Sequence, residues 1–131
     1  MSKLKVTTIA NVADSESTDV TNVINGSAKA WVNFDGTFGT SPFTVANGGI
    51  RAAFNVSSVT DNGTGDYTVN FTTAMPDANY AVTSTGNRSA AWVTGLNDTA
   101  AAPTSSAVRI ATVTSAFTFA DPPYVYVAIF R

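Results

Sequence analysis

The sequence contains no cysteine and no histidine, and Glu16 is its single glutamate. Without cysteine the chain can form no disulfide, no thiolate metal site and no thiol nucleophile. Without histidine it also lacks the most common general base and the most common protein ligand for metals. Enzyme mechanisms and metal sites that depend on cysteine or histidine are therefore excluded.

Charge is scarce as well. Charged residues make up 12% of the chain, against about 25% in an average protein. The formal net charge is −2, and the seven cations are scattered along the sequence. This distribution provides no basic patch that would attract nucleic acid or an acidic membrane surface. We expect hydroxyl and amide side chains to form the solvated surface, as in extracellular or particle-bound β proteins.

The sequence also lacks long apolar runs. No segment approaches the roughly 20 apolar residues that span a bilayer, and residues 1–17 do not contain the apolar centre of a secretory signal. If the protein acts outside a cell, we expect it to leave by another route, such as the release of virus particles by lysis.

What the chain does contain is a series of short strand patterns separated by turns rich in Gly, Asn, Asp and Pro. Its length suits one domain with its own core. The pattern predicts an all-β fold, an antiparallel β-sandwich-like domain of about seven to eight short strands over residues 28–131. Outside the central hairpin, the predicted strands are residues 28–34, 80–85, 90–96, 108–114 and 124–130.

The clearest pattern is a hairpin in which residues 54–60 and 67–73 flank a turn at residues 61–66, DNGTGD. Its second strand alternates apolar and polar side chains strictly, which is typical of a half-buried strand. Pairing that is symmetric about the turn predicts the register Thr60–Tyr67, Ser58–Val69, Val56–Phe71 and Phe54–Thr73. The aromatic residues predicted to face the core are Phe34, Phe54, Tyr67, Phe71 and Tyr80.

Residues 1–27 are predicted to be an N-terminal anchor or linker segment outside the sandwich. Residues 4–9 form a strand-like pattern, and residues 10–19 are polar. Ser17 or Thr18 could cap a short helix that Gly26 ends, with its apolar residues on one face. Such a helix has at most two or three turns and is marginal by itself.

The last predicted strand, YVYVAIF at residues 124–130, is apolar on both faces. A strand in a simple sandwich should have one solvent-exposed polar face. Another layer of the chain or another subunit must therefore cover the second apolar face of this strand. We favour a subunit in a chain of this size. The predicted interface residues are Trp31, Val125, Val127 and Ile129. Trp31 lies opposite the core face of its own strand, so it packs at a subunit contact or under a loop.

Two pairs of carboxylates, Asp61 with Asp66 and Asp98 with Asp121, could in principle support acid–base or glycosidic chemistry. The first pair brackets a glycine-rich turn, where aspartate usually caps backbone amides. That turn also lacks the ligand spacing and the closing glutamate of an EF-hand calcium loop. We therefore predict no catalytic residue, no bound metal and no cofactor.

Aromatic residues in loops are the remaining candidates for a binding site. Asn87, Arg88 and Trp92 bring together an amide, a guanidinium and an aromatic ring, a combination that can contact a sugar or a protein. Phe38 and Phe43 lie in another Gly/Ser/Thr-rich loop. Loop aromatics can equally pin a loop to the core, and the sequence leaves both interpretations open.

Three stretches of the sequence are long enough to be specific: AKAWVNFDGT at residues 28–37, IRAAFNVSSVTDNGTGDY at residues 50–67, and MPDANY at residues 75–80. With LKVTTI at residues 4–9, they resemble bacteriophage tail-fibre-type proteins, which are common in phages of marine and aquatic bacteria. The resemblance covers most of residues 4–82. Residues 84–131 match less well, apart from the apolar last strand.

The resemblance implies a non-enzymatic structural protein of the virion, assembled as a homotrimer on the outside of a tail or a head. Its implied partners are copies of itself, other virion proteins bound through the N-terminal segment, and host surface glycan or protein. No nucleic acid and no membrane insertion are expected. Host recognition would lie in the less similar part, including residues 86–96 and 97–106.

The chain is short for a complete tail fibre and has no repetitive shaft. This leaves a head (capsid) fibre or decoration protein that binds no host ligand as the alternative. A carbohydrate-acting enzyme is a third hypothesis, which the missing histidine and the single glutamate disfavour.

Overall fold

The computed structural model describes residues 5–10, 17–87 and 92–131, and gives the backbone alone for Asn87 and Trp92. In chain order the elements are β1 (Thr8–Ala10), β2 (Ser17–Asp19), α1 (Val20–Gly26), β3 (Ala28–Phe34), β4 (Ile50–Phe54), β5 (Val56–Gly63), β6 (Asp66–Phe71), β7 (Ala81–Asn87), β8 (Trp92–Leu96), β9 (Ala107–Thr114) and β10 (Tyr124–Phe130).

Eight of these strands form two four-stranded antiparallel sheets. Sheet 1 has the strand order β4-β3-β10-β7, and sheet 2 has the order β5-β6-β9-β8. The two sheets bury their inner faces against each other in one apolar core. The predicted all-β sandwich is confirmed, and β3 and β10 begin and end at the predicted residues.

Alternation along the strands builds the core. From Ala30 onward in β3, and throughout β6 and β10, every second residue is buried, whereas the residues between them are at least partly exposed. Phe34 from sheet 1 packs edge-on against Tyr67 from sheet 2, with ring centroids 5.1 Å apart. Phe43 lies within 6.2 Å of both of these rings. Such aromatic pairs stabilise a fold by about 0.5–1.5 kcal/mol beyond the area that they bury.

The hairpin exists, but its predicted register is wrong in the middle. Val56 pairs with Phe71 as predicted, whereas Val59 pairs with Val69 and Thr60 with Thr68. Two irregularities, between Val56 and Ser58 and between Asp61 and Gly63, each add a residue to β5. A bulge of this kind reverses the face of the residues that follow it, so Val59 rather than Ser58 enters the core.

The prediction for Phe54 is wrong for a related reason. Asn55 adopts a positive φ of 53°, which bends the chain sharply between β4 and β5. Phe54 therefore ends a strand of sheet 1, pairs with Trp31 and is 54% exposed. Asn55 holds this crossing in place, since its Nδ2 donates to the carbonyl oxygens of Lys29 and Thr73, each at 3.1 Å.

One buried hydroxyl joins three loops at the end of the sandwich where β10 begins. Tyr67 Oη donates to Asp121 Oδ1 at 2.6 Å and lies 3.0 Å from the carbonyl oxygen of Gly36. The same Asp121 oxygen accepts a hydrogen bond from the backbone N–H of Gly65 at 2.6 Å. Burial and the neighbouring Asp121 carboxylate raise the pKa of Tyr67, so the hydroxyl keeps its proton.

The N-terminal part has little packing of its own. β1 and β2 form a two-stranded antiparallel sheet, and α1 is the predicted short helix, with Asp19 as its N-cap instead of Ser17 or Thr18. Asp19 is the cap because its Oδ1 accepts the N–H of Thr21 at 2.7 Å. No residue of α1 is buried.

Replacing Tyr67 with phenylalanine should lower the free energy of unfolding by about 1–2 kcal/mol, because Asp121 then loses a buried donor. The control is Tyr126→Phe, whose side chain is exposed and whose effect should stay within about 0.5 kcal/mol. Urea denaturation of both variants measures the difference. Equal stability of the two variants would contradict the role assigned to the Tyr67 hydroxyl.

Candidate binding face

The outer side of sheet 1 carries four exposed aromatic side chains. Trp31 is 40% exposed, Phe54 54%, Tyr124 40% and Tyr126 39%. We call these four residues the aromatic face. Soluble proteins usually cover rings of this size, and contiguous exposed apolar groups mark sites of interaction.

Strand alternation and register place these rings together. In β10 the residues Val125, Val127 and Ile129 point into the core, so Tyr124 and Tyr126 point outward. In the neighbouring strand β3, Trp31 pairs with Ala128 on one side and with Phe54 on the other. Because residues that pair directly point to the same side of a sheet, these side chains form one surface.

Arg51 borders the aromatic face and is held from two directions. Its Nη2 lies 2.8 Å from Asp35 Oδ2, and its guanidinium carbon lies 4.2 Å from the centre of the Tyr124 ring. The pairing skips Arg51, since Asn33 pairs with Ala52 and Phe34 with Ile50. This bulge is what turns the arginine toward the aromatic face.

The Tyr124 and Tyr126 rings are parallel within 10°, with centroids 6.5 Å apart. Between them and β4 lies Asn33, which pairs with Tyr126 and Ala52. In the described part of the chain, Asn33 Oδ1 is a buried side-chain oxygen without a hydrogen-bond partner. An unpaired buried acceptor has a free-energy cost, so this face is incompletely satisfied within its own chain.

The outer side of sheet 2 is different. Asn70 Nδ2 donates to Ser58 Oγ and Thr60 Oγ1, at 3.2 and 3.0 Å. Arg109 binds both carboxylate oxygens of Asp66, at 2.7 and 2.6 Å. This pairing with Arg109 lowers the pKa of Asp66. Sheet 2 thus satisfies these polar groups, but Val93 and Phe119, which both pair with Val113 on this side, are 51% and 48% exposed. Sheet 1 leaves four aromatic rings exposed.

The structure corrects the side of β10 on which an interface was predicted. Val125, Val127 and Ile129 are 0%, 3% and 1% exposed within the chain's own core, so they cannot also contact a neighbour. Both faces of the strand are apolar, and alternation alone could not say which one turns inward. Trp31 does lie on the outer side, as the sequence predicts.

Two of the three predicted ligand-binding residues, Asn87 and Trp92, lie at the last residue of β7 in sheet 1 and the first residue of β8 in sheet 2. Asn87 ends β7 opposite Tyr124, and Trp92 begins β8 opposite Thr114. Arg88 lies outside the described residues. The backbone therefore brings Asn87 and Trp92 to one end of the sandwich, which we call the far end.

Another aromatic residue at the far end was not predicted. Phe117 lies in the tight turn that follows β9 and is 80% exposed. Its φ of 57° is a conformation that bulky residues seldom adopt. The sequence offered a signal in the dense aromatic spacing of SAFTF at residues 115–119.

The loop aromatics Phe38 and Phe43 prove to be structural. Phe43 is fully buried, and Phe38 packs edge-on against it with centroids 5.7 Å apart. The predicted recognition loop at residues 97–106 runs toward the end opposite to the far end. There the Tyr80 hydroxyl donates to the carbonyl oxygen of Thr104 at 2.9 Å.

Three of the four carboxylates in the predicted pairs are engaged within the fold. Asp61 caps the N–H of Gly63 at 2.8 Å, Asp66 is bound by Arg109, and Asp121 is bound by Tyr67. Across residues 5–10, 17–87 and 92–131, no cluster of three or more potential metal ligands occurs. The helix in these same ranges is too short to cross a membrane.

No protein-family model and no curated protein sequence matches this chain. Among solved structures, the chain is similar to the phiAB6 tailspike, crystallised in complex with three-repeated oligosaccharides of Acinetobacter baumannii surface polysaccharide. The similarity covers 94% of this chain but 22% of that one, with 13% sequence identity and a TM-score of 0.49. At this level, neither a common fold nor a common function follows.

The pairing of Asp66 with Arg109 should make stability depend on pH. Because the folded state lowers the pKa of Asp66, the stabilisation is complete above the unfolded value of about 3.9. It is lost as the pH falls through the lower folded pKa. Asp66→Asn should therefore be less stable than the wild type at pH 7, and the gap should shrink below about pH 4.

Urea midpoints at pH 7, 5 and 3 measure this gap. Arg109→Gln removes the other partner of the ion pair. The difference in stability between this variant and the wild type should also shrink as the pH falls. A gap that stays constant from pH 7 to pH 3 would mean that the ion pair contributes nothing that depends on pH.

Proposed function

We propose that this chain is a structural protein of a bacteriophage particle, a trimeric tail fibre or receptor-binding module on the outside of the virion. The phage assignment is supported by the resemblance of residues 4–82 to tail-fibre-type proteins. The proposed partners are copies of itself, another virion protein and the host surface.

The observation that carries the proposal is the difference between the two outer faces of the sandwich. Sheet 2 presents mainly hydroxyl, amide and paired charged groups, with Val93 and Phe119 as exposed apolar residues at the far end. Sheet 1 presents four exposed aromatic side chains, those of Trp31, Phe54, Tyr124 and Tyr126. Aromatic residues and arginine are enriched where proteins bind one another. A module with one such face is suited to assembly rather than to catalysis.

The described carboxylates support a non-catalytic role, because most of them are already engaged. Asp35, Asp66 and Asp77 each bind an arginine. A general acid or base must be free to exchange its proton with a substrate, and these groups are committed to structure.

We assign different roles to the two ends of the sandwich. The N-terminal residues join β3 at Ala28, which lies beside Phe130. Asn87 at the end of β7 and Trp92 at the start of β8 lie at the far end, opposite Tyr124 and Thr114. We assign attachment to the first end. We assign host contact to Asn87, Arg88, Trp92 and the exposed Phe117 at the second.

Immunogold labelling of the virus particles that carry this chain tests the proposal. Antibodies against the protein should decorate the tail or its fibres. Decoration of the capsid alone would favour the head-fibre or decoration alternative. Particles without label would contradict a virion location altogether.

Host contact is tested with fluorescent protein and the bacteria that the virus infects. The double variant Arg88→Ala/Trp92→Ala should bind these cells at least about tenfold more weakly, as expected for a pair of hot-spot residues. The control Val45→Ala changes an apolar residue that is 62% exposed and should bind like the wild type. Equal binding by both variants would remove the site from the far end.

A further inference from the structure

We infer that the N-terminal unit of one copy, residues 5–10 and 17–27, covers the aromatic face of a second copy. The inference rests on the proposed assembly of this chain with itself, and it names the two surfaces that meet. According to this inference, the N-terminal unit binds another copy of the same chain.

The N-terminal unit needs a partner. All of its described residues are exposed except Val20, which is half-buried. Its apolar side chains Val6, Ile9, Val23 and Ile24 are 46%, 49%, 39% and 57% exposed. An isolated two-stranded sheet and a seven-residue helix are each marginal in water. Packing against an apolar surface outside the unit would stabilise it.

The unit does not use the aromatic face of its own chain. Ser27 is the single residue between α1 and β3, and its N–H donates to the carbonyl oxygen of Val23 at 3.1 Å. Lys29 Nζ donates to the carbonyl oxygens of Ser27 and Ile24. These bonds fix the direction in which α1 leaves the sheet, with Val23 and Ile24 exposed and Trp31 uncovered.

A second copy satisfies both surfaces at once. The unit offers the aliphatic side chains of valine and isoleucine, and the aromatic face offers flat rings against which such groups pack closely. A saccharide or an unrelated protein on the aromatic face would leave the N-terminal unit exposed. In a closed ring of copies, each N-terminal unit and each aromatic face is covered.

The contact joins two different surfaces, so it is heterologous. Contacts of this kind close into a ring or continue as a filament. A ring of three copies is the closed arrangement that a trimeric fibre module requires.

Two double variants separate the surfaces. The face variant Trp31→Thr/Phe54→Thr removes the exposed rings and retains good strand formers. The segment variant Val23→Gln/Ile24→Gln removes the aliphatic groups and retains helix formers. All four positions are at least 39% exposed, so the sandwich should stay folded, which circular dichroism and thermal melting check.

Sedimentation velocity at micromolar concentration gives the readout. The wild type should sediment as an oligomer, and each variant alone should sediment as a single chain. An equimolar mixture of the variants should form a one-to-one dimer, because one still has a working segment and the other a working face. The control Val45→Ser/Leu96→Ser changes other exposed apolar residues and should remain oligomeric.

Three results would overturn the inference. A segment variant that stays oligomeric while the face variant dissociates would indicate face-to-face packing. If both variants stay oligomeric, the interface lies elsewhere on the chain. That result would not contradict the proposed role in the virion. A wild type that is monomeric at every concentration would remove self-assembly itself, whereas immunogold labelling tests the virion location independently.

Discussion

The last strand, β10, has apolar side chains on both faces, and a two-layer sandwich can bury only one of them. Val125, Val127 and Ile129 enter the core, which leaves Tyr124 and Tyr126 on the surface. Since β10 and β3 are the two central strands of sheet 1, the uncovered side lies in the middle of the sheet and not at an edge. The exposed tyrosines of sheet 1 follow from this arrangement.

Sheet 2 shows that the chain can make a water-compatible surface without many charges. Its outer side uses amide and hydroxyl groups that bind one another, with Arg109 and Asp66 as an added ion pair. Sheet 1 instead carries exposed aromatic residues beside Arg51, which contacts Asp35 and the Tyr124 ring. We propose that this side of the molecule serves in assembly.

Alternation in the sequence is enough to predict β3, the inward direction of Tyr67 and Phe71, and the outward direction of Trp31, whereas β10 is predicted from its continuous run of apolar strand-forming residues. It cannot predict the positive φ of Asn55, which moves Phe54 from the hairpin to the other sheet. Nor can it predict the bulges, because one extra residue exchanges the faces of a strand without changing its composition. Where both faces are apolar, as in β10, only the completed sheet decides which side is inside.

The account depends on the aromatic face being covered by another copy of the chain. Hydroxyl-radical footprinting over a range of protein concentrations measures this coverage directly. The oxidation of Trp31 and Phe54 should slow as the concentration rises, Val23 and Ile24 should slow in parallel, and the exposed Phe117 should not change. If Trp31 and Phe54 oxidise at the same rate at every concentration, no second copy covers this face.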